Sequence, residues 1–211
     1  MERPAVAVVI LSHRKDLVRE AFASAAAQTV PVQILVQYAE AAWTDKLNEA
    51  VSAARGEWVV ILCDDDLLAP TYVARCLNFS EGADIVYTDR RVFHDRPRRW
   101  YDPRSWRRAR PERGRHFRMH GDELSGPDAY GMTMDPATFA FGSPLPMTVM
   151  VRRSWWERMG GYDGHIPHSD TELWYRSVKA GARLVYVPEP LFWYRYHPAQ
   201  TSRAENSMYA A

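Results

Sequence analysis

The sequence predicts an α/β fold in which a mostly parallel sheet is flanked by helices and interrupted by a long arginine-rich excursion. In the first half, short apolar runs rich in β-branched residues alternate with amphipathic segments, as in parallel sheets with right-handed crossovers. The 211 residues suffice for one sizeable core and are short for two. Hydrophobic residues make up 46% and charged residues 25%, a globular rather than disordered composition. We therefore expect a single domain.

The first half contains four predicted strands and three predicted helices. The strands are the apolar runs Val6–Leu11, Val32–Val36, Trp58–Cys63 and Ile85–Thr88. The first helix is predicted over 16–28, with Leu17, Val18, Ala21, Phe22 and Ala25 on its apolar face. Thr44 is a candidate cap for the second helix, which Gly56 ends, and Pro70 can open the third.

The second half begins with an irregular segment. Residues 90–146 are rich in arginine, glycine and proline without a sustained period, which indicates a long functional excursion. A strand is then predicted over Met147–Val151. Capping boxes at Ser154–Glu157 and Ser169–Glu172 predict two helices. Gly160-Gly161 and Gly181 end these helices, and strands Leu184–Val187 and Leu191–Tyr196 close the fold.

The charge of the chain is unevenly distributed. The formal net charge is only +1, but residues 90–118 hold twelve arginines against three acidic residues, a local charge of about +9. The remainder must then carry about −8. The apolar runs are too short to cross a bilayer, so we expect no transmembrane segment. Two cysteines without a disulfide pattern, together with a poor signal-peptide start, favour a cytoplasmic protein.

Three consecutive aspartates, Asp64 to Asp66, are the strongest functional signal. They follow the predicted strand Trp58–Cys63, and open α/β sheets bind ligands at the carboxyl ends of their strands. Adjacent carboxylates repel each other and gain most when a divalent cation lies between them. Such an ion, Mg²⁺ or Mn²⁺, can bridge diphosphate oxygens and neutralise a leaving group. The alternative is an acidic entry to the helix that Pro70 opens.

Several segments, in matching order, resemble the inverting family 2 glycosyltransferases of the GT-A (Rossmann-like) fold. The resemblance covers residues 5–88 and 147–202. The matching segments are the first strand with Ser12-His13-Arg14, then Ala27-Gln28-Thr29, Lys46 with Asn48 and Ala50, Gly56 to Asp66 with Pro70, Gly160-Gly161-Tyr162-Asp163, Asp170 with Leu173 and Arg176, and the closing segments Gly181–Leu191 and Tyr194–His197.

The resemblance implies one catalytic domain over residues 1–211 that moves a sugar from a nucleoside-diphosphate-sugar donor to a hydroxyl acceptor with inversion. It assigns about 5–90 to donor binding, about 90–146 to the arginine-rich insertion and about 147–202 to the acceptor side. The implied donor contacts are Ser12, His13, Arg14, Gln37, Lys46, Asn48, Asp64 and Asp65. The implied metal ligands are Asp65, Asp66 and His197.

The sequence departs from the family pattern at three places. Cys63 stands where the first aspartate of the Asp-x-Asp motif is usual, which puts Asp65 in the metal-binding position. Gln37 and Tyr38 replace the aspartates that usually read the donor's base, so a uridine donor is not implied. The residue before the catalytic base is Ser169 rather than glutamate.

Asp170 is the candidate catalytic base. At the start of a helix the dipole favours an ionised carboxylate, which could take the proton of the acceptor hydroxyl. The alternative is that Asp170 only stabilises the helix start. His197 could contact the metal or the diphosphate, or be a structural histidine. His165 and His168 have metal-pair spacing, but Pro167 between them argues against a zinc site.

The arginine-rich segment predicts a polyanionic acceptor. Its arginines are interleaved with aromatic residues, a pattern that can follow a phosphate backbone and stack bases. The candidate acceptor-binding residues are Arg98, Arg99, Trp100, Arg107 and Arg108, and hydroxymethylated DNA is one such acceptor. The same segment could instead clamp the donor diphosphate, face anionic lipid or be a solvated loop.

Other functions compete with this hypothesis. A nucleotidyltransferase on a related sheet would need a glycine-rich phosphate loop after the first strand, and residues 11–15 contain no glycine. A glycosyltransferase could also act on a cell-surface glycan or a lipid-linked acceptor. A non-catalytic nucleic-acid-binding protein on the same fold would have no need for the aspartate triplet or for Asp170.

Overall fold

The computed structural model describes residues 4–39, 43–94, 145–166 and 169–197. In chain order the elements are β1 (Val6–Ser12), α1 (Val18–Ala26), β2 (Val32–Tyr38), α2 (Trp43–Ala53), β3 (Trp58–Cys63), β4 (Leu67–Leu68), α3 (Tyr72–Asn78), β5 (Ile85–His94), β6 (Met150–Arg152), α4 (Arg153–Met159), α5 (Ser169–Lys179) and β7 (Leu184–Tyr196). No helix within these ranges has both the length and the apolar character needed to cross a membrane.

Seven strands form one sheet in the order β2-β1-β3-β6-β5-β7-β4. Strands β1, β2, β3, β5 and β7 run in one direction, and the short strands β6 and β4 run in the other. The predicted α/β architecture with a mostly parallel sheet is therefore confirmed.

The core lies on both faces of the central strands. Alternate residues of β1 belong to two apolar layers, with Ala7, Val9 and Leu11 in one and Val6, Val8 and Ile10 in the other. Helices α2, α4 and α5 contribute to the first layer, and α1 and α3 to the second. Burial on both faces explains why β1 and β3 are continuous apolar runs without alternation.

The strand register brings three strand ends to one edge of the sheet. Leu11 of β1 is paired with both Gln37 of β2 and Cys63 of β3. The backbone then links Asp64 N to Leu11 O at 3.1 Å. The aspartate triplet consequently emerges beside the carboxyl ends of β1 and β2, as expected for a ligand site in an open sheet.

The last strands differ from the prediction. The strand expected over Ile85–Thr88 continues to His94, and the two expected closing strands are the single strand β7. Register shifts on either side of Asp89 accommodate Pro188 and Pro190, which have no N–H to donate. As a result, Arg90 and Arg91 lie in the sheet rather than in an irregular excursion. The two-residue strand β4, which pairs with β7, was not predicted.

Helix α1 is shorter than expected, and its buried face includes the predicted residues Val18, Ala21 and Ala25 but not Phe22. It spans Val18–Ala26, and Phe22, expected on the apolar face, is 46% exposed. Ser24 is buried instead, where its hydroxyl donates to Ala21 O at 2.7 Å and accepts from Leu68 N at 3.1 Å. The partner on β4 is distant in sequence, so the periodicity of α1 alone could not predict this contact.

The predicted stops of α4 and α5 are confirmed, but the stop at Gly56 and the predicted side-chain caps are not. Helix α2 already ends at Ala53, and Gly56 does not have a positive φ angle. The glycines that follow α4 and α5 have positive φ angles: 76° at Gly160, 70° at Gly161 and 79° at Gly181. Ser154 lies inside α4, which has no side-chain cap, and Glu157 pairs with Arg153. Thr44 is already within α2, and Glu172 pairs with Arg176 rather than reaching back to the start of α5.

Candidate active site

Asp64 anchors the loop between β1 and α1. Its Oδ2 accepts bonds from His13 N at 2.7 Å and Arg14 N at 2.6 Å, and lies 3.4 Å from Ser12 Oγ. Its Oδ1 accepts from Arg14 Nη2 at 2.7 Å and Arg14 Nε at 3.2 Å. Both oxygens of this buried carboxylate are thus engaged by the loop. The structure thereby gathers three predicted donor-binding residues around one side chain.

Asp65 and His197 form the second part of the site with Arg14. Asp65 Oδ2 accepts from Arg14 Nη2 at 2.8 Å and lies 3.1 Å from His197 Nε2. The same Nε2 is 2.9 Å from Arg14 Nη1. His197 belongs to the segment after β7 and is only 5% exposed. The closing strand therefore brings a distant imidazole into contact with the aspartate triplet.

The donors and acceptors in this triangle do not match. Arginine can only donate and an ionised carboxylate can only accept. If His197 Nε2 accepts from Arg14, two acceptors face each other across 3.1 Å. If Nε2 carries a proton, two donors face each other across 2.9 Å. A divalent cation would use the Asp65 oxygen and the unprotonated His197 nitrogen as ligands. This pair of side chains therefore fits a metal ion.

Asp66 is buried beside the same residues, and its negative charge is compensated less well than the charges of Asp64 and Asp65. Its Oδ1 accepts from Arg195 N at 3.0 Å. Burial, together with the neighbouring charge of Asp65, raises the pKa of Asp66 well above its usual value. The guanidinium of Arg195 donates to Asp65 O at 2.8 Å and pairs with Glu20. In the absence of a bound cation, an ionised Asp66 is therefore unfavourable.

Cys63 lies close to two of the predicted metal ligands, Asp65 and Asp66. The ligand atoms of Cys63, Asp65 and Asp66 all lie within 4.8 Å of one another. On sequence alone, Cys63 occupies the position of the first aspartate of the family motif, and it is not predicted to be a metal ligand. The feature that could have identified Cys63 as a ligand is its position at the end of β3, directly before the triplet.

Asp170 lies in the first turn of α5 and is half-buried. Burial raises the pKa of both Cys63 and Tyr162, and the charge of Asp170 adds to each shift. The start of α5 therefore lies within electrostatic reach of the aspartate cluster. Ser169 fixes this helix start, since its hydroxyl lies 2.8 Å from both Asp163 O and Ile166 O.

A cavity of about 720 Å³ opens between α2, the segment after α4 and α5. Its lining includes Thr44, Asp45, Asp163, Glu172 and Arg176. The guanidinium of Arg176 donates to Gly161 O at 2.8 Å and to Met159 O, which holds the wall of the cavity in place. Helix α5, which carries Asp170, therefore forms one wall of this cavity through Glu172 and Arg176.

The other residues predicted to bind the nucleotide-sugar do not contact Asp64 and have partners in other parts of the protein. Asn48 donates to Tyr162 O at 2.9 Å and accepts from Tyr162 N at 3.0 Å, so both ends of its amide hold the segment after α4. Lys46 pairs with Glu49 on the exposed side of α2 at 2.8 Å. Gln37 is half-buried near the end of β2.

The candidate acceptor-binding residues lie outside the described part of the chain. These are Arg98, Arg99, Trp100, Arg107 and Arg108, together with most of the arginine-rich segment. His168, the second member of the spaced histidine pair, is also outside it, and His165 is exposed.

Comparisons with solved structures give the fold. S. aureus TarS 1–349 in complex with UDP-GlcNAc has a TM-score of 0.66 at 12% identity, covering 94% of this chain and 60% of TarS. Mannosyltransferase PcManGT from Pyrobaculum calidifontis, in complex with GDP-Man and Mn²⁺, has a TM-score of 0.65 at 17% identity. That match covers 99% of this chain and 61% of PcManGT. The chain thus spans about three fifths of the length of each of these structures.

Sequence comparison gives the family. No curated protein matches the sequence. The family model described as glycosyltransferase-like family 2, however, matches residues 1–210. This match extends from the first strand past His197 and includes the aspartate triplet and Asp170, and the chain therefore belongs to family 2 of the glycosyltransferases.

Proposed function

We propose that this protein is a metal-dependent glycosyltransferase that moves a hexose from a nucleoside-diphosphate-sugar to a hydroxyl acceptor with inversion. One observation carries the proposal. Asp65 and His197 form a donor set that fits a cation, at the carboxyl edge of the sheet and within electrostatic reach of Asp170. A cation site and a carboxylate base on the same side of the sheet would suit a transfer reaction between a donor and an acceptor. Family membership and the nucleotide-sugars bound to TarS and PcManGT support this activity.

Asp65, Asp66 and His197 would hold Mg²⁺ or Mn²⁺. Their oxygen and imidazole ligands suit either ion, and Mn²⁺ is the ion named with PcManGT. A cation bound there would neutralise charge on the diphosphate leaving group. Ser12, His13, Arg14, Gln37, Lys46 and Asn48 are the proposed donor contacts. Because the two similar structures bind UDP-GlcNAc and GDP-Man, the donor assay must include both nucleotides.

Asp170 would act as the general base. Its carboxylate accepts the proton of the acceptor hydroxyl while that oxygen bonds to the anomeric carbon. The bond from this carbon to the diphosphate oxygen breaks on the opposite side, and the leaving group keeps the electron pair. One in-line displacement inverts the anomeric configuration. The cavity between α2 and α5 would admit the acceptor on the side of the base.

The proposed acceptor is polyanionic, such as hydroxymethylated DNA. Strand β5 ends at His94, which is paired with Tyr196, one residue before His197. The described chain resumes at 145, and Met147 Sδ lies 3.3 Å from Cys63 Sγ. The described residues on either side of residues 95–144 therefore lie close to His197 and Cys63 of the site. A polyanion bound to the arginine-rich segment would have a short path to the reacting centre.

A donor and cation screen tests the proposal. Metal-free protein with a panel of UDP- and GDP-sugars should turn over a donor only after Mg²⁺ or Mn²⁺ is added. Per folded molecule, Asp65→Ala should lose the most activity among the three aspartates. Full turnover in excess EDTA would exclude the metal assignment. Transfer assays with DNA, glycan and lipid-linked acceptors would identify the class of acceptor. Nucleic-acid binding without turnover of any donor would indicate a non-catalytic protein. A cytoplasmic location stays a prediction.

A further inference from the structure

Cys63 contributes a sulfur atom to a cluster formed by Cys63, Asp65 and Asp66, here termed the mixed cluster. The ligand atoms of these three residues lie within 4.8 Å of one another. Strand β3 ends at Cys63, so the thiol and the triplet share one rigid support. The side chain is half-buried rather than enclosed in the core. A cation between the carboxylates of Asp65 and Asp66 would therefore have a sulfur atom within the same small volume.

A second sulfur atom orients the thiol. Cys63 Sγ lies 3.3 Å from Met147 Sδ, with the thiol as donor. Directing the S–H toward Met147 leaves the lone pairs of the sulfur free for other contacts. A thiol that coordinates a metal ion does so as a thiolate and releases its proton to solvent. The sulfur is thus oriented so that it could become a ligand when an ion binds.

We propose that Cys63 is a thiolate ligand of the cation in the mixed cluster, and that it makes the site favour thiophilic divalent ions over Mg²⁺. Mg²⁺ takes oxygen ligands in a strict octahedral arrangement, whereas thiolates select softer ions such as Zn²⁺. The site therefore binds Zn²⁺ and Co²⁺ more tightly than Mg²⁺, with Mn²⁺ between them. This inference rests on the proposed function only in placing a cation at the triplet.

Cobalt titration of the metal-free protein tests the sulfur directly. Co²⁺ bound to thiolate gives a near-ultraviolet sulfur-to-cobalt charge-transfer band that oxygen and imidazole ligands do not give. Wild-type protein should show this band at one equivalent. Cys63→Ser should lose it and bind Co²⁺ at least about tenfold more weakly. Cys76→Ala, which removes the chain's other cysteine from the buried face of α3, should keep it.

Cys63→Asp provides the complementary measurement, because it restores an oxygen ligand. Its Mg²⁺ affinity by calorimetry should rise, and its preference for Co²⁺ over Mg²⁺ should fall, both relative to wild type. A wild type without the band, or equal Co²⁺ affinities in wild type and Cys63→Ser, would overturn the proposal. These readouts need no turnover, so a protein that shows the band but transfers no sugar would refute the proposed function and not the ligand assignment.

Discussion

Asp64, Asp65 and Asp66 are adjacent in the chain, yet their carboxylates have different surroundings. Asp64 is paired with Arg14 and with two backbone N–H groups of the loop after β1. Asp65 faces Arg14 and His197. Asp66 is buried with a raised pKa, caused by burial and by the charge of Asp65. Each residue should therefore respond differently when its charge is removed.

Asp64→Asn and Asp66→Asn should shift stability in opposite directions in the metal-free protein. Asp64→Asn breaks a buried ion pair and should lower the free energy of unfolding by about 3 kcal/mol. Asp66→Asn removes a poorly compensated charge but keeps an oxygen for Arg195 N, and should raise it by about 1 kcal/mol. Thermal unfolding in EDTA would register the second change as an increase in Tm of about 2–4 °C. A loss of stability in both variants contradicts the distinction.

The advantage of Asp66→Asn should depend on pH. Because the folded-state pKa of Asp66 is raised, the folded protein holds a proton that the unfolded chain releases. Wild-type stability therefore falls as pH rises from the ordinary carboxyl value, about 4, through the raised pKa. Below that range Asp66 is protonated in both states, so the advantage of the variant should disappear on acidification. An advantage that is the same at pH 4 and pH 8 would assign it to another cause.

Asp170→Asn should lower turnover by about 10²–10⁴-fold while folding and donor binding are preserved. The substitution keeps the size and polarity of the side chain but removes the proton acceptor. Glu157→Gln is the control, because Glu157 is an exposed carboxylate of α4 that pairs with Arg153 and does not line the cavity. Single-turnover kinetics would measure both. An Asp170→Asn protein within a fewfold of wild type would place the base elsewhere, with Asp163 the next candidate.

At the scale of elements, the segment after α4 is held by helix α2. Asn48 accepts from Tyr162 N and donates to Tyr162 O, and Tyr162 packs edge-on against Trp43 and Trp156. The main chain at Gly161 passes close to the amide of Asn48. This contact joins the wall of the cavity to the α2 side of the sheet.

Gly161→Ala should destabilise the protein more than Gly160→Ala. Both glycines have positive φ angles, 76° at Gly160 and 70° at Gly161, so both variants incur a similar backbone strain. A Cβ at Gly161 would lie 2.2 Å from Asn48 Oδ1, whereas a Cβ at Gly160 meets nothing within 4 Å. We expect about 1–2 kcal/mol for Gly160→Ala and at least about 1 kcal/mol more for Gly161→Ala, measured by urea unfolding. An equal loss of stability in the two variants would mean that the Asn48 side chain moves away from the added methyl group at little cost.

Local signals predict the elements better than the contacts between them. Continuous apolar runs located β1 and β3, and glycines at positive φ located the ends of α4 and α5, because both signals are confined to a few neighbouring residues. The pairing of Arg14 with Asp64 joins residues fifty positions apart. Local motifs therefore pointed to the aspartate triplet and to the loop after β1, whereas the anchoring role of Asp64 and the position of Cys63 required the tertiary structure.

At the scale of the whole molecule, charge is separated along the chain. The arginine-rich stretch over 90–118 carries about +9, and the remainder about −8. Its first two arginines lie on β5, where Arg90 is 4.7 Å from the ring of Tyr194 and Arg91 is 5.3 Å from that of Trp193. Arginine and aromatic side chains therefore meet within the sheet at the start of this stretch. The same combination suits a nucleic-acid strand.

Binding of DNA or RNA should weaken steeply with salt, with a log–log slope of about −0.7 to −0.9 per phosphate contacted. Replacing Arg98, Arg99, Arg107 and Arg108 with serine should flatten that slope and leave donor hydrolysis intact. Serine at the exposed residues Arg19, Arg55, Lys179 and Arg183 is the charge-matched control and should leave the slope unchanged. No nucleic-acid binding at low salt would remove this acceptor class and direct the search to anionic lipid vesicles.

Arg14 has a consequence for the order of events when the chain is made. Its guanidinium bridges Asp64 and Asp65. Burial works against this charge, but hydrogen bonding to Asp64 and the charge of Asp65 outweigh it and raise the pKa of Arg14. A newly synthesised chain therefore carries its own positive charge to the carboxylates. Under the proposed function, Asp65 would exchange one positive partner for another when a cation binds, and we expect folding not to require that cation.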